Sequence, residues 1–131
     1  MWLRRAVLFP SVLLCTTLAA LGEPRALVGE ELVTLISGKT VLIDTPVGAV
    51  PVVFNADGTL AGQSKEVARY VGVEQDTGKW WVSGDRQRLC QKWRSWLDGK
   101  LHCYTLHQEG AVLHWSRSDG EKGLARIAAT R

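Results

Sequence analysis

The feature that most restricts the fold of this chain is a regular alternation of short strand-forming runs with turn residues after position 38. The runs are rich in β-branched and aromatic residues and recur about every ten residues, which is typical of antiparallel meanders and barrels. Turn residues separate them, for example Asp57-Gly58, Asp76-Thr77-Gly78 and Asp119-Gly120. No run between them is long enough for a crossover helix, so a parallel sheet is not expected.

These runs predict a mainly β fold, a small antiparallel meander or barrel of about eight strands with a short N-terminal helix. The helix is predicted over Gly29 to Ser37, because Leu32, Leu35 and Ile36 fall on one face and Gly38 follows as a stop signal. The predicted strands are 40–44, 49–55, 59–63, 66–73, 78–83, 88–93, 100–107, 111–117 and 123–128.

Alternation along the strands assigns several large side chains to the interior. Trp80, Trp81, Trp93 and Trp115 are predicted core residues, and the alternative for them is an aromatic ligand pocket at a barrel mouth. Tyr104 and Leu106 share one face of their strand. Barrels of about eight strands either are filled by side chains or hold one small ligand. Because this chain is short and carries many large aromatic residues, we expect the interior to be filled.

Residues 1–22 have the pattern of a secretory signal peptide. Arg4 and Arg5 form a short basic region, an apolar run follows, and Ala20-Leu21-Gly22 offers small residues for cleavage. The apolar run is shorter than the roughly 20 residues that span a bilayer, so no stable membrane span is expected. We therefore predict Sec-type export to the periplasm, with cleavage after Gly22 or Ala26, and one disulfide-bonded β domain over residues 23–131.

The net charge of +3 includes the predicted signal peptide, which export would remove. Two of these charges belong to Arg4 and Arg5, so the remaining domain is close to neutral. A nearly neutral domain gives no electrostatic reason to expect nucleic acid as a partner.

Cys90 and Cys103, the two cysteines outside the predicted signal peptide, are predicted to form a disulfide bond. An even pair of cysteines in an exported chain is typical of a disulfide, and the spacing differs from that of zinc and redox motifs. If the two cysteines face each other across a hairpin, the loop spans about Arg94 to Gly99. Trp96 is then either exposed or folded back over the barrel.

The clearest candidate binding surface is a run of basic residues interleaved with tryptophans. All four basic residues have even numbers, so on a strand their side chains point to one side. The run predicts a basic and aromatic rim that binds an anionic ligand, a polyanion or a membrane surface, and the alternative is an ordinary solvated strand face. The candidate binding residues are Arg86, Arg88, Lys92, Arg94, Trp93 and Trp96.

The sequence contains no pattern that indicates an enzyme, a metal site or a cofactor. His102, His107 and His114 lack the spacing of converging metal ligands. No Gly-x-Ser-x-Gly motif is present, and no cysteine is left as a nucleophile outside the predicted disulfide and signal peptide. We therefore expect no catalytic activity, no metal and no cofactor.

Several motifs together resemble those of small exported β-barrel proteins of alphaproteobacteria, most of which have no assigned function. The motifs are Leu35-x-x-Gly38-x-Thr40, Phe54-Asn55-Ala56-Asp57-Gly58-x-x-x-Gly62, Gly78-x-Trp80-x-Val82-x-Gly84-Asp85, Leu89-Cys90-x-x-Trp93 and Cys103. The resemblance implies a lipocalin-like or streptavidin-like barrel. The chain is also distantly similar to periplasmic inhibitors of secreted metalloproteases, which insert a free N-terminal segment into the protease. Here the corresponding segment, residues 23–27, is short and leads directly into the predicted helix.

Together these features predict an exported periplasmic binding or accessory protein whose partner is another protein or an anionic ligand. One alternative is a protease-inhibitor-like protein, which should present a protruding terminus or loop. Another is a small-ligand carrier with a lipocalin-like barrel, which should hold an apolar cavity of roughly several hundred Å³.

Overall fold

A computed structural model describes residues 23–129, and within them the chain forms a closed antiparallel β-barrel with one additional strand outside it. The elements are β1 (Arg25–Ala26), α1 (Glu30–Ile36), β2 (Lys39–Thr45), β3 (Gly48–Phe54), β4 (Thr59–Gln63), α2 (Lys65–Val71), β5 (Gln75–Val82), β6 (Leu89–Trp93), a 3₁₀ turn (Trp96–Gly99), β7 (Leu101–Glu109), β8 (Val112–Arg117) and β9 (Lys122–Ile127). Strands β2 to β9 form the barrel, which closes because β7 pairs with both β6 and β8. The predicted fold class is confirmed.

One predicted strand, 66–73, is wrong, because most of these residues form helix α2. The Ser64 side-chain oxygen accepts a hydrogen bond from the Val67 backbone N–H and so caps the first turn. Gly72 ends the helix in the left-handed conformation, with a φ of 75°. These two capping residues outweigh the strand-like composition of the segment.

The predicted turn at Asp76-Thr77-Gly78 is also wrong, since these residues lie inside β5. Asp76 is buried, and its Oδ2 accepts hydrogen bonds from the backbone N–H groups of Ser95 (2.8 Å) and Trp96 (2.7 Å). The carboxylate therefore fixes the loop after β6 instead of shaping a turn in its own strand.

Gly78 is required because the backbone of the neighbouring strand lies directly against it. A β carbon at this position would collide with the carbonyl oxygen of Lys92 and lie 2.9 Å from the Cα of Trp93. Backbone atoms cannot rotate away, so we expect Gly78→Ala to lower the free energy of unfolding by about 1–3 kcal/mol or more.

Urea unfolding of Gly78→Ala and of Gly84→Ala provides the measurement and its control. Gly84 has no positive φ, and no atom lies within 4 Å of the position of its β carbon. Equal stability of the two variants would contradict the close approach of β5 and β6.

The predicted disulfide bond between Cys90 and Cys103 is confirmed. The two residues lie directly opposite each other in the β6–β7 register, with their Cα atoms 4.0 Å apart. The loop between the strands contains the Trp96–Gly99 turn, and the Trp96 side chain is folded back and only 6% exposed. The predicted long loop is therefore confirmed as well.

The two ends of the barrel are covered differently. At one end, α1 lies against the core and buries Leu32 and Ile36, and the preceding Leu27 is buried with them. At the other end lie α2, the Trp96–Gly99 turn and the hairpins that join β2 to β3 and β8 to β9. Since α2 has no buried residue, this second end is only loosely covered.

Two predictions about export concern different parts of the chain. The predicted signal peptide, residues 1–22, lies outside the described residues. Within residues 23–129, no helix combines the length and the apolar character needed to cross a bilayer. The disulfide bond is compatible with an oxidising compartment.

Candidate functional site

The barrel holds a cavity of about 440 Å³, which extends from Ile36 of α1 to the loosely covered end. Val67 and Val71 of α2 and Leu97 of the 3₁₀ turn line it near that end. Apolar side chains of five strands form much of its wall: Val41, Ile43, Val50, Val52, Phe54, Leu106, Leu113 and Ala125. The prediction that side chains fill the interior is therefore wrong.

The interior stays open because the tryptophans pack at its margins. Trp80 packs edge-on against Phe54 and donates a hydrogen bond to the Asn55 carbonyl in the β3–β4 turn. Trp93 and Trp96 pack against each other with their ring centroids 4.8 Å apart. The aromatic rings therefore leave a space between them that smaller aliphatic side chains line.

Two glycines let tryptophan rings lie flat against the inner wall. A β carbon at Gly62 would overlap the ring of Trp96, and one at Gly123 would overlap the ring of Trp115. Because neither glycine has a side chain, each ring occupies the space next to the wall instead of the middle of the barrel.

Three polar side chains interrupt the apolar wall on neighbouring strands. Gln91 Nε2 donates a hydrogen bond to Tyr104 Oη over 3.0 Å. Tyr104 and Arg117 are directly opposite each other in the β7–β8 register. Gln91 is buried, and all three residues line the cavity.

Asp119 completes this arrangement by binding Arg117 from the β8–β9 hairpin. Arg117 Nε lies 2.8 Å from Asp119 Oδ1, and Arg117 Nη2 lies 2.7 Å from Oδ2. These contacts lower the pKa of Asp119 to about 2 and raise the pKa of Arg117 further above its usual range. We refer to Gln91, Tyr104, Arg117 and Asp119 as the polar cluster, and at neutral pH its two charges cancel.

The other groups near the cluster also limit its charge. Burial raises the pKa of the Tyr104 hydroxyl, so this group is neutral at physiological pH. At the rim of the cavity, Asp44 and Glu121 lie alongside Lys122. The titratable groups that line the cavity therefore give it no excess of positive charge.

Trp115 carries a hydrogen-bond donor that has no partner within the described part of the chain. Its Nε1 is buried and has no acceptor there. The indole packs edge-on against Tyr104, with ring centroids 5.5 Å apart. An unpaired buried donor of this kind costs about 1–3 kcal/mol, so packing must hold the ring in place.

The basic and aromatic rim predicted from the sequence is not formed as one surface. Trp93 and Trp96 are 4% and 6% exposed, and both face the cavity instead of the solvent. Trp93 faces inward because β6 alternates, so that Leu89, Gln91 and Trp93 share its inner side. Trp96 belongs to the 3₁₀ turn, and its indole N–H donates a hydrogen bond to the Val73 carbonyl. Lys92 and Arg94 are exposed.

The four basic residues themselves lie in different surroundings. Arg86 lies in the turn before β6 and forms an ion pair of 2.9 Å with Glu30 of α1. Arg88 lies just before β6 and Lys92 lies within it, and both have the outward orientation. Lys92 lies opposite the exposed Lys79 of β5. A basic strip thus remains on the outer face of the barrel, separated by the wall from Trp93 and Trp96. The predicted core position of Trp81 is wrong, because it alternates with the buried Trp80 on β5 and is 38% exposed on this outer face.

Comparisons of the chain with protein-family models, with curated proteins and with solved structures give no match. Within residues 23–129, no group of three His, Cys, Asp or Glu side chains is placed to hold a metal ion. The cavity and the polar cluster in its wall are therefore the features of the described residues that bear on function.

Proposed function

We propose that this protein binds a small, mainly apolar molecule inside its barrel and acts as a non-catalytic binding or carrier protein of the periplasm. The observation that carries the proposal is the cavity of about 440 Å³. Small-molecule sites are commonly about 300–1,000 Å³, mostly apolar, with a few polar groups that fix the orientation of the ligand. The cavity has this size and this composition.

The apolar wall favours an organic ligand over water. A water molecule needs two to four polar partners, and the aliphatic wall formed by residues such as Val52, Leu106 and Leu113 offers none. An apolar ligand would instead regain the dispersion contacts that the lining side chains lack around an empty space. Binding would therefore be driven by the burial of apolar surface.

The loosely covered end supplies a route of entry. Val71 and Leu97 line the cavity and are also 49% and 38% exposed, so an apolar path leads from the surface to the interior. No residue of helix α2 is fully buried, and Val67 is the one residue of this helix that packs, partly buried, against the core, so its displacement would disturb only a small part of the core packing.

The N-terminal part of the described chain favours this function over protease inhibition. Arg25 and Ala26 pair with β7, and Leu27 is 2% exposed. These residues are thus held against the barrel, whereas an inhibitor of the metalloprotease type uses a free segment.

Titration with N-phenyl-1-naphthylamine, an uncharged apolar fluorophore, tests the proposal. We expect saturable one-site binding in the micromolar range, seen as increased probe emission and as quenching of tryptophan fluorescence. Quenching is expected because Trp93, Trp96 and Trp115 line the cavity. Protein unfolded in urea is the control, and emission that rises linearly without saturation would contradict the proposal.

A further inference from the structure

We propose that the polar cluster selects ligands whose polar group is an uncharged hydrogen-bond acceptor, such as the carbonyl oxygen of a ketone, ester or amide. This inference rests on the proposed function and specifies which class of apolar molecule the cavity takes. It depends on two properties of the cluster, its hydrogen-bond donors and its charge.

Tyr104 and Arg117 each keep a hydrogen-bond donor that no acceptor among the described residues uses. Tyr104 Oη accepts a hydrogen bond from Gln91, and no acceptor among the described residues takes the hydrogen of its own O–H group. Its own O–H group is then left to donate. The guanidinium has only donors, and its Nε and one terminal nitrogen are used by Asp119. A ligand oxygen next to Tyr104 would therefore receive hydrogen bonds that the protein itself does not use.

The charge of the cluster disfavours an anionic ligand. Asp119 already balances Arg117 through two close contacts, and at the rim Asp44 and Glu121 outweigh Lys122. A carboxylate placed beside Tyr104 would add a negative charge at a partly buried site and would lose its hydration. A carbonyl oxygen accepts the same hydrogen bonds without this cost.

The position of the cluster suits a ligand with a polar group and an apolar body. Gln91, Tyr104 and Arg117 come from three consecutive strands and lie on one side of the cavity. Aliphatic side chains of β2 and β3, among them Ile43 and Val50, line it elsewhere. The oxygen would then be fixed by β6 to β8 while the hydrocarbon part packs against the remaining wall.

The test is a competition against N-phenyl-1-naphthylamine with three molecules of equal chain length: an alkane, a methyl ketone and a fatty acid. We expect the ketone to bind about tenfold more tightly than the alkane, since a buried donor gains an acceptor. The fatty acid should bind more weakly than the ketone at neutral pH and should gain affinity as the pH falls and its carboxyl group is protonated.

Each other outcome has a separate meaning. If the alkane and the ketone bind equally, the proposed function stands and the selection of a carbonyl oxygen is wrong. If the carboxylate binds more tightly than the ketone, the cluster is an anion site and the inference is overturned. If the fluorophore itself does not bind, the proposed function fails and the inference fails with it.

Tyr104→Phe tests the hydroxyl directly, because it removes the oxygen and keeps the ring against Trp115. The measured quantity is the ratio of ketone affinity to alkane affinity, which should fall from about tenfold to near one. Tyr70→Phe is the matched control, since Tyr70 is the other tyrosine of the chain and lies 77% exposed on α2. An unchanged ratio in Tyr104→Phe, with native folding shown by thermal unfolding, would contradict the role of this hydroxyl.

Discussion

Removal of the Cys90–Cys103 disulfide bond is expected to lower the free energy of unfolding by about 3 kcal/mol. The bond closes a short loop, since the two cysteines have a sequence separation of 13, and so restricts the unfolded chain. The measurement is urea unfolding of the double variant Cys90→Ala, Cys103→Ala beside the wild type. Alanine is the appropriate replacement because Cys90 is 2% exposed and a serine hydroxyl would be buried there.

A reducing agent provides the control for this experiment. Reduction should bring the wild type to the stability of the double variant and should leave the double variant unchanged. An unfolding midpoint of the wild type that does not respond to complete reduction would contradict a stabilising role for the bond.

The hairpin that carries this bond shows what could be predicted from the sequence. Pairing Cys90 with Cys103 fixed the register of β6 and β7, and the register required a loop too long for a two-residue turn. From that loop followed the two possible positions of Trp96, of which the buried one is observed. Such inferences succeed because strand alternation and disulfide geometry depend on a few neighbouring residues.

Helix α2 shows where the composition of a segment was misleading. The segment 66–73 contains Val67, Val71 and Val73, and β-branched residues favour strands. Yet Val67 and Val71 are also four residues apart, which places them on one face of a helix. The capping residues Ser64 and Gly72 were visible in the sequence and were the signal that could have decided between the two.

The cavity could not be predicted, because its volume depends on where large rings pack. Trp96 and Trp115 lie against the wall only because Gly62 of β4 and Gly123 of β9 have no side chain. That relation joins residues distant in sequence, and it becomes visible only once the strand register is known. The number of aromatic residues predicted a filled interior, but this number does not indicate where their rings pack.

The polar cluster was missed for a related reason. The common face of Tyr104 and Leu106 was predicted from alternation, but Gln91 and Arg117 were given no role. A polar residue at an inward position, such as Gln91 between Leu89 and Trp93, is the signal that could have identified it. The residues next to Gln91 in the cluster could be recognised only from the register of β6, β7 and β8.

Ala125→Phe is expected to weaken binding of the apolar fluorophore by at least about tenfold. A tenfold loss of affinity corresponds to about 1.4 kcal/mol, which the ligand loses when part of its apolar surface can no longer be buried in the cavity. Ala125 is 6% exposed, lines the cavity and lies opposite both Ile43 and Leu113 in the barrel register. A phenyl ring there would enter the space that the ligand needs. Because the ring fills a cavity instead of displacing packed side chains, the free energy of unfolding should stay equal or increase.

Ala49→Phe is the matched control for this substitution, since Ala49 is exposed and has the outward orientation on β3. The same ring on the outer face should leave the affinity for the fluorophore unchanged. Titration of both variants therefore separates a site inside the barrel from binding to the outer surface. If Ala125→Phe is folded and binds as tightly as Ala49→Phe, the ligand does not occupy the cavity, and the outer strip of Arg88, Lys92 and Lys79 becomes the surface to test.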